Sequence, residues 1–129
     1  MIQKDFSFAT NEDWRDSLVL SDAGNLAGAT VLMQVKPSLD HPDAFLDMAT
    51  GTGGGLTLDA PNKKISWAVD NADAGEVPPG EYQFDVVAIY ADGSTKREAL
   101  CTLTVNRGGT AVPRGTPVEV LGDENGLEI

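Results

Sequence analysis

The chain has 129 residues, and its 9 lysines and arginines face 20 aspartates and glutamates, a net charge of −11. That length makes one domain, able to bury roughly two-thirds of the surface of its unfolded chain in a single core. The excess negative charge repels phosphate backbones and anionic bilayers, so neither nucleic-acid binding nor membrane insertion is expected.

Taken in order, residues 4–9 place Phe6 and Phe8 on one face of a short first strand. A polar turn at residues 10–13 leads to a second strand, in which Trp14, Asp16, Leu18 and Leu20 alternate with Arg15, Ser17 and Val19. Its later half is apolar on both faces and reads as buried, with Trp14 closing one end of the core. Residues 21–25 form a turn cluster. Val31, Met33 and Val35 then share the inner face of a strand that Pro37 ends, because proline brings no backbone donor. A loop holding His41 and Pro42 follows, then a short strand with Leu46 and Met48 inward. The glycine-rich residues 51–55 form a flexible connection to a strand carrying Leu56 and Leu58. Ile65, Trp67 and Val69 alternate cleanly with Lys64, Ser66 and Asp70. Residues 71–76 allow one helical turn before Pro78-Pro79-Gly80 redirects the chain.

The longest strand signal comes next. Tyr82, Phe84, Val86, Ala88 and Tyr90 share one face, and the opposite face turns apolar at Val87 and Ile89. A tyrosine at the start of such a strand, two residues before a core residue, matches the corner in which the hydroxyl bonds back to the backbone. Asp92-Gly93 is a strong hairpin signal. The return strand places Ala99, Cys101, Leu103 and Val105 inward, with Leu100, Thr102 and Thr104 on the other face. Seven or eight short strands without a long helical period predict an all-β chain. Its expected architecture is an immunoglobulin-like antiparallel β-sandwich over residues 1–106, with an extended C-terminal arm over residues 107–129. Within the arm, Val118 and Val120 suit one more short strand.

The residues that carry chemistry are sparse. Cys101 is the sole cysteine and His41 the sole histidine, which excludes an internal disulfide and starves a zinc site. Cys101 falls on an inward strand face, where a thiol is inert packing, and no nucleophile elbow is present. Acidic pairs are too plentiful to mark a glycosidase cleft. Asn71-x-Asp73-x-Gly75 and Asp123-x-Asn125-Gly126 are fragments of a calcium loop, both incomplete and both readable as turns. Residues 51–55 lack the Gly-Lys-Ser/Thr ending of a phosphate loop. No catalytic, cofactor-binding or metal-binding residue is therefore assigned. Residues 1–5 lack the pattern of a secretory leader, and no apolar run approaches the ~20 residues of a membrane span, so the expectation is a protein made and kept in a cytoplasm, or assembled there into something larger.

Contact with other chains is better supported. Leu32, Val87, Ile89 and Leu100 lie opposite the core set, where a free sandwich is normally polar. Trp14 and Tyr90 are candidate interface aromatics, and open sheet edges or the arm offer further contacts.

Several stretches also carry a family resemblance. They are Phe6-Ser7-Phe8 with Asn11-Glu12-Asp13-Trp14, then Leu18-Val19-Leu20-Ser21-Asp22-Ala23-Gly24-Asn25, and then Leu26-Ala27-Gly28-Ala29-Thr30-Val31 running on to Met33-Gln34-Val35-Lys36-Pro37. Pro79-Gly80-Glu81-Tyr82-Gln83-Phe84-Asp85-Val86 leading to Asp92-Gly93-Ser94 completes the set. Together they resemble the small immunoglobulin-like virion proteins of tailed bacteriophages and prophages, similar to the N-terminal domain of baseplate upper proteins. The resemblance covers most of residues 4–106 and stops before Arg107. It implies a non-enzymatic structural part of a tail, baseplate or fibre attachment, without cofactors. Its partners would be other virion proteins in a symmetric assembly, and its location the virion. Two alternatives remain open: a capsid decoration protein of the same fold, and a carbohydrate- or calcium-binding module for a host surface.

Overall fold

The structure is a computed structural model that describes residues 1–110. Most of the expected arm, including Val118, Val120 and the Asp123/Asn125/Gly126 fragment, lies outside the described residues. The elements are β1 (Ile2–Ala9), β2 (Trp14–Val19), β3 (Thr30–Lys36), β4 (Leu46–Thr50), β5 (Gly55–Asp59), β6 (Lys64–Val69), α1 (Asn71–Ala74), β7 (Gly80–Ile89) and β8 (Thr95–Asn106).

Hydrogen bonding links the strands in the order β1-β8-β7-β3-β4-β5-β6-β2. In a flat sheet, six strand spacings would put β1 about 29 Å from β6. The Phe6 ring on β1 instead lies 5.5 Å from the Trp67 ring on β6. The ribbon is therefore folded onto itself. The fold occurs between β4 and β5, which pair only through Ala49 with Gly55 and Thr50 with Leu56. A tight turn there bonds the Gly54 amide to the Gly51 carbonyl at 3.1 Å and the Ala49 amide to the Gly54 carbonyl at 2.8 Å. A side chain at Gly54 would sit 2.0 Å from the Ala49 carbonyl oxygen, so only glycine permits this close approach. The segment expected as a flexible connection is a hydrogen-bonded turn.

Two layers result: β1-β8-β7-β3-β4, called the front, and β5-β6-β2, called the back. This is an immunoglobulin-like β-sandwich of eight strands. It is not wholly antiparallel, because β1 runs parallel to β8 and β4 parallel to β5. Alternation along a strand does not encode its partner's direction, so both parallel pairs were invisible to periodicity.

Five aromatic rings fill the space between the layers. Trp14 lies within 5.3–6.4 Å, centroid to centroid, of Phe6, Phe8, Trp67 and Phe84. Most of these contacts are edge-to-face, the arrangement favoured by ring quadrupoles. Trp14 is 1% exposed, so it forms the middle of the core and does not cap it. Val19 departs from expectation in the other direction: it is 51% exposed on the back face. The predicted helical turn is present as α1. Asn71, its first residue, anchors the β1–β2 turn, donating its side-chain amide to the Thr10 and Glu12 carbonyls at 2.8 and 3.0 Å.

The tyrosine corner is in place. The Tyr82 hydroxyl donates to the Pro78 carbonyl at 2.5 Å, tying the start of β7 to the proline turn. Removing that hydroxyl in Tyr82→Phe is expected to cost about 1–2 kcal/mol in urea unfolding. A loss below ~0.3 kcal/mol would show that the corner does not hold β7 in place.

Candidate interaction surface

His41 sits in the β3–β4 loop, where its Nδ1 lies 3.0–3.1 Å from the Asp43 backbone. Cys101 is buried in β8. Desolvation pushes its thiol from 9.0 up to about 11, which disfavours the nucleophilic thiolate. The structure does not bring the two together, because the histidine is engaged by its own loop and the thiol is sealed in the core. Among the described residues, no group of three or more His, Cys, Asp or Glu side chains converges as a metal site. The Asn71/Asp73/Gly75 fragment is spent on structure. The Asn71 backbone amide bonds Asp13 Oδ1 at 2.7 Å, its side-chain nitrogen serves two carbonyls, and its Oδ1 is buried without a partner. The Arg15 hydrogen bond, with that Asn71 amide behind it, holds the Asp13 carboxyl below its ordinary value.

One polar group escaped the sequence reading. In β8, Arg97 pairs with Val87 and Ala99 with Val86, so Glu98 is the extra residue of a β-bulge. The bulge turns Glu98 and Ala99 inward together, and Glu98 is 1% exposed. Strict alternation from Ala99 would have sent Glu98 to solvent. A buried carboxylate is costly unless it is hydrogen-bonded and paired. Here the Tyr90 hydroxyl donates to Glu98 Oε2, and Lys96 Nζ lies 3.9 Å from Oε1. The same hydroxyl accepts from the Gly24 amide at 3.2 Å, so the bulge anchors the β2–β3 loop. Tyr90, expected as an interface aromatic, serves chiefly as this latch.

The outer faces show where contact is possible. On the front, register places Ala49, Leu32 and Val87 side by side across β4, β3 and β7, with Ile89 one row away beside Thr30. Leu32 is 37% exposed, and Val87, Ile89 and Leu100 are half-buried. The next row holds Asp47, Gln34, Asp85 and Leu100. Leu32, Gln34, Asp47, Asp85 and Val87 bound a depression of about 230 Å³ with an apolar wall and two carboxylates. The apolar outer row expected from sequence is therefore present, but smaller than the four residues suggested, because only Leu32 is well exposed.

Two outcomes follow from the buried polar groups. Glu98→Ala strands the Tyr90 hydroxyl and is expected to lower stability by about 1–3 kcal/mol, with Glu98→Gln costing less. A midpoint of urea unfolding equal to that of an exposed substitution such as Asp59→Ala would contradict the latch. On the alkaline side, burial raises the Cys101 thiol and the Tyr82 phenol, and burial with the Glu98 bond raises the Tyr90 phenol. All three hold their protons more tightly when folded than their ordinary values of 9.0 and 10.0 allow. Their contribution is thus intact at neutral pH and is lost as pH rises through the folded values. Urea midpoints should be flat from pH 7 to below 9 and fall above it; a midpoint that rises above pH 9 would contradict the burial of these groups.

No family model and no curated protein matches the chain. Among solved structures, it is similar to a Listeria monocytogenes internalin-like protein at 18% identity and a TM-score of 0.38, over 81% of this chain and 28% of that one. It is also similar to murine CRIg at 13% identity and a TM-score of 0.42, over 79% of this chain and 92% of that one. The chain thus spans under a third of the internalin-like protein's length.

Proposed function

We propose that the chain is a non-enzymatic structural protein of a bacteriophage virion, an adaptor in a tail, baseplate or fibre attachment. In this role it works by touching neighbouring virion proteins in a repeated, symmetric assembly. The observation that carries the contact reading is the apolar row of Leu32 and Val87 across the front face, flanked by carboxylates where a free sandwich is normally polar throughout. The phage assignment rests on the motif resemblance over most of residues 4–106; the tyrosine corner and Asp-Gly hairpin among those motifs bear on the fold. The sealed thiol and the loop-engaged histidine fit a role in which no bond is made or broken.

Fractionation of particles into tails and heads, followed by mass spectrometry of each, tests the assignment. The reading predicts the chain in the tail fraction at a fixed stoichiometry. Its presence only on heads would favour capsid decoration. Its absence from both, together with saturable calorimetric binding of calcium or a surface glycan, would replace the structural reading with host recognition.

A further inference from the structure

The ribbon of strands has a gap where it folds. β4 meets β5 only at Ala49 and Thr50, so Leu46, Asp47 and Met48 have no strand partner on the side away from β3. The β5–β6 ladder begins at Leu56 and Trp67, which leaves Ala68 and Val69 of β6 without a β5 partner. Both unpaired stretches line one cleft of about 410 Å³. Leu46 and Val69 are half-buried in it, Met48 lies at its floor, and Phe45 at its mouth is 46% exposed. An open strand edge beside apolar side chains fits an extended peptide, whose backbone pairs with the edge while alternate side chains fill the cleft.

The lining also carries the carboxylates of Asp70 and Asp73. Asp70 precedes α1 without making a side-chain cap. Neither carboxylate has an ion pair or side-chain hydrogen bond among the described residues. The occupant therefore brings a cation.

We infer that this cleft holds the chain's own residues 111–118, with Arg114 between the carboxylates of Asp70 and Asp73. The direction in which the described chain ends favours this occupant. The Gly108 amide donates to Thr10 Oγ1 at 2.8 Å, which carries the chain from β8 across the β1–β2 turn. The Thr10 carbonyl in turn accepts from the Asn71 side chain at 2.8 Å, and Asn71 adjoins Asp70. The path from Gly108 to Asp70 is roughly 15 Å, and the stretch from Gly108 to Arg114 extends to ~20 Å. Arg114 is the only lysine or arginine in residues 111–129. Beyond it, Thr116 and Val118 share the parity that donates to β4, and Pro117 falls on the other, where its missing N–H costs nothing. The contact ends before Glu119, because every charged residue from there on is acidic. Docked in this way, the segment covers an edge otherwise open to strand addition by another chain. The inference concerns the free chain and does not rest on the virion reading, so either can fail alone.

Amide hydrogen exchange of the full chain, read by NMR, tests it. Residues 46–48 should exchange about threefold more slowly in the wild type than in Arg114→Glu, within the range of an exposed ion pair. Asp70→Lys with Asp73→Lys should speed them as Arg114→Glu does, and the chain carrying all three changes should regain the slow rate. Unchanged exchange at Phe84 and Leu103 would show the sandwich intact in each variant. A hundredfold dilution should leave the rates as they are, because the segment belongs to the same molecule. Equal exchange at residues 46–48 in the wild type and Arg114→Glu would overturn the inference, and so would a triple variant that stays fast. Protection that falls on dilution would overturn it as well, by assigning the occupant to a second copy.

Discussion

Everything in this molecule depends on the ring cluster that Trp14 draws together. The sheet is one continuous ribbon, and β4 and β5 are joined by only two residue pairs. What keeps the halves face to face is Trp14 and Trp67 from the back interlocking with Phe6, Phe8 and Phe84 from the front. Edge-to-face aromatic pairs add about 0.5–1.5 kcal/mol each beyond their buried area. The cluster therefore does more than fill space: it sets how the layers lie on one another. The Tyr82 hydroxyl and the Tyr90–Glu98 latch then tie down opposite ends of β7.

With the core fully occupied by rings and aliphatic side chains, the inner face is closed to ligands, and the chemistry left for recognition is on the outside. There the two layers present different surfaces. The front combines carboxylates with Leu32 and Val87, and the back sets Val19 beside Lys64, which faces Asp59, and an Arg15 paired with Asp13. The contact role proposed above requires a rigid scaffold with defined outward positions. Strands β3 and β7, paired along seven residues, provide one.

Much of this was legible from the chain. Period-2 alternation assigned the inward faces of β3, β6, β7 and β8, and the Asp92-Gly93 turn and the tyrosine corner formed where their residues required. The signals failed where local pattern is blind to tertiary context. Trp14 stands at the start of its strand, so sequence position suggested a cap. The fold of the ribbon instead made it the centre of the core. Glu98 broke the alternation through a bulge, and a bulge is set by the partner strand, whose influence no window of β8 contains. Val19 looked buried because apolar residues surround it in sequence, yet its parity points it outward. The parallel pairing of β1 with β8 joins residues nearly a hundred positions apart, beyond the reach of any turn signal. For the same reason the outer surface was only half readable: the apolar positions could be named, but not their placement beside Asp47 and Asp85.

The central claim is that this chain works through its outer faces, with Leu32, Val87 and Val19 as the side chains that become covered. Hydroxyl-radical footprinting of those three, in the dilute free chain and in the assembled particle, tests it most directly. The account predicts that their oxidation drops on assembly, while Phe45, 46% exposed in the loop just before β4, changes less. Equal oxidation of Leu32, Val87 and Val19 in both states would contradict it.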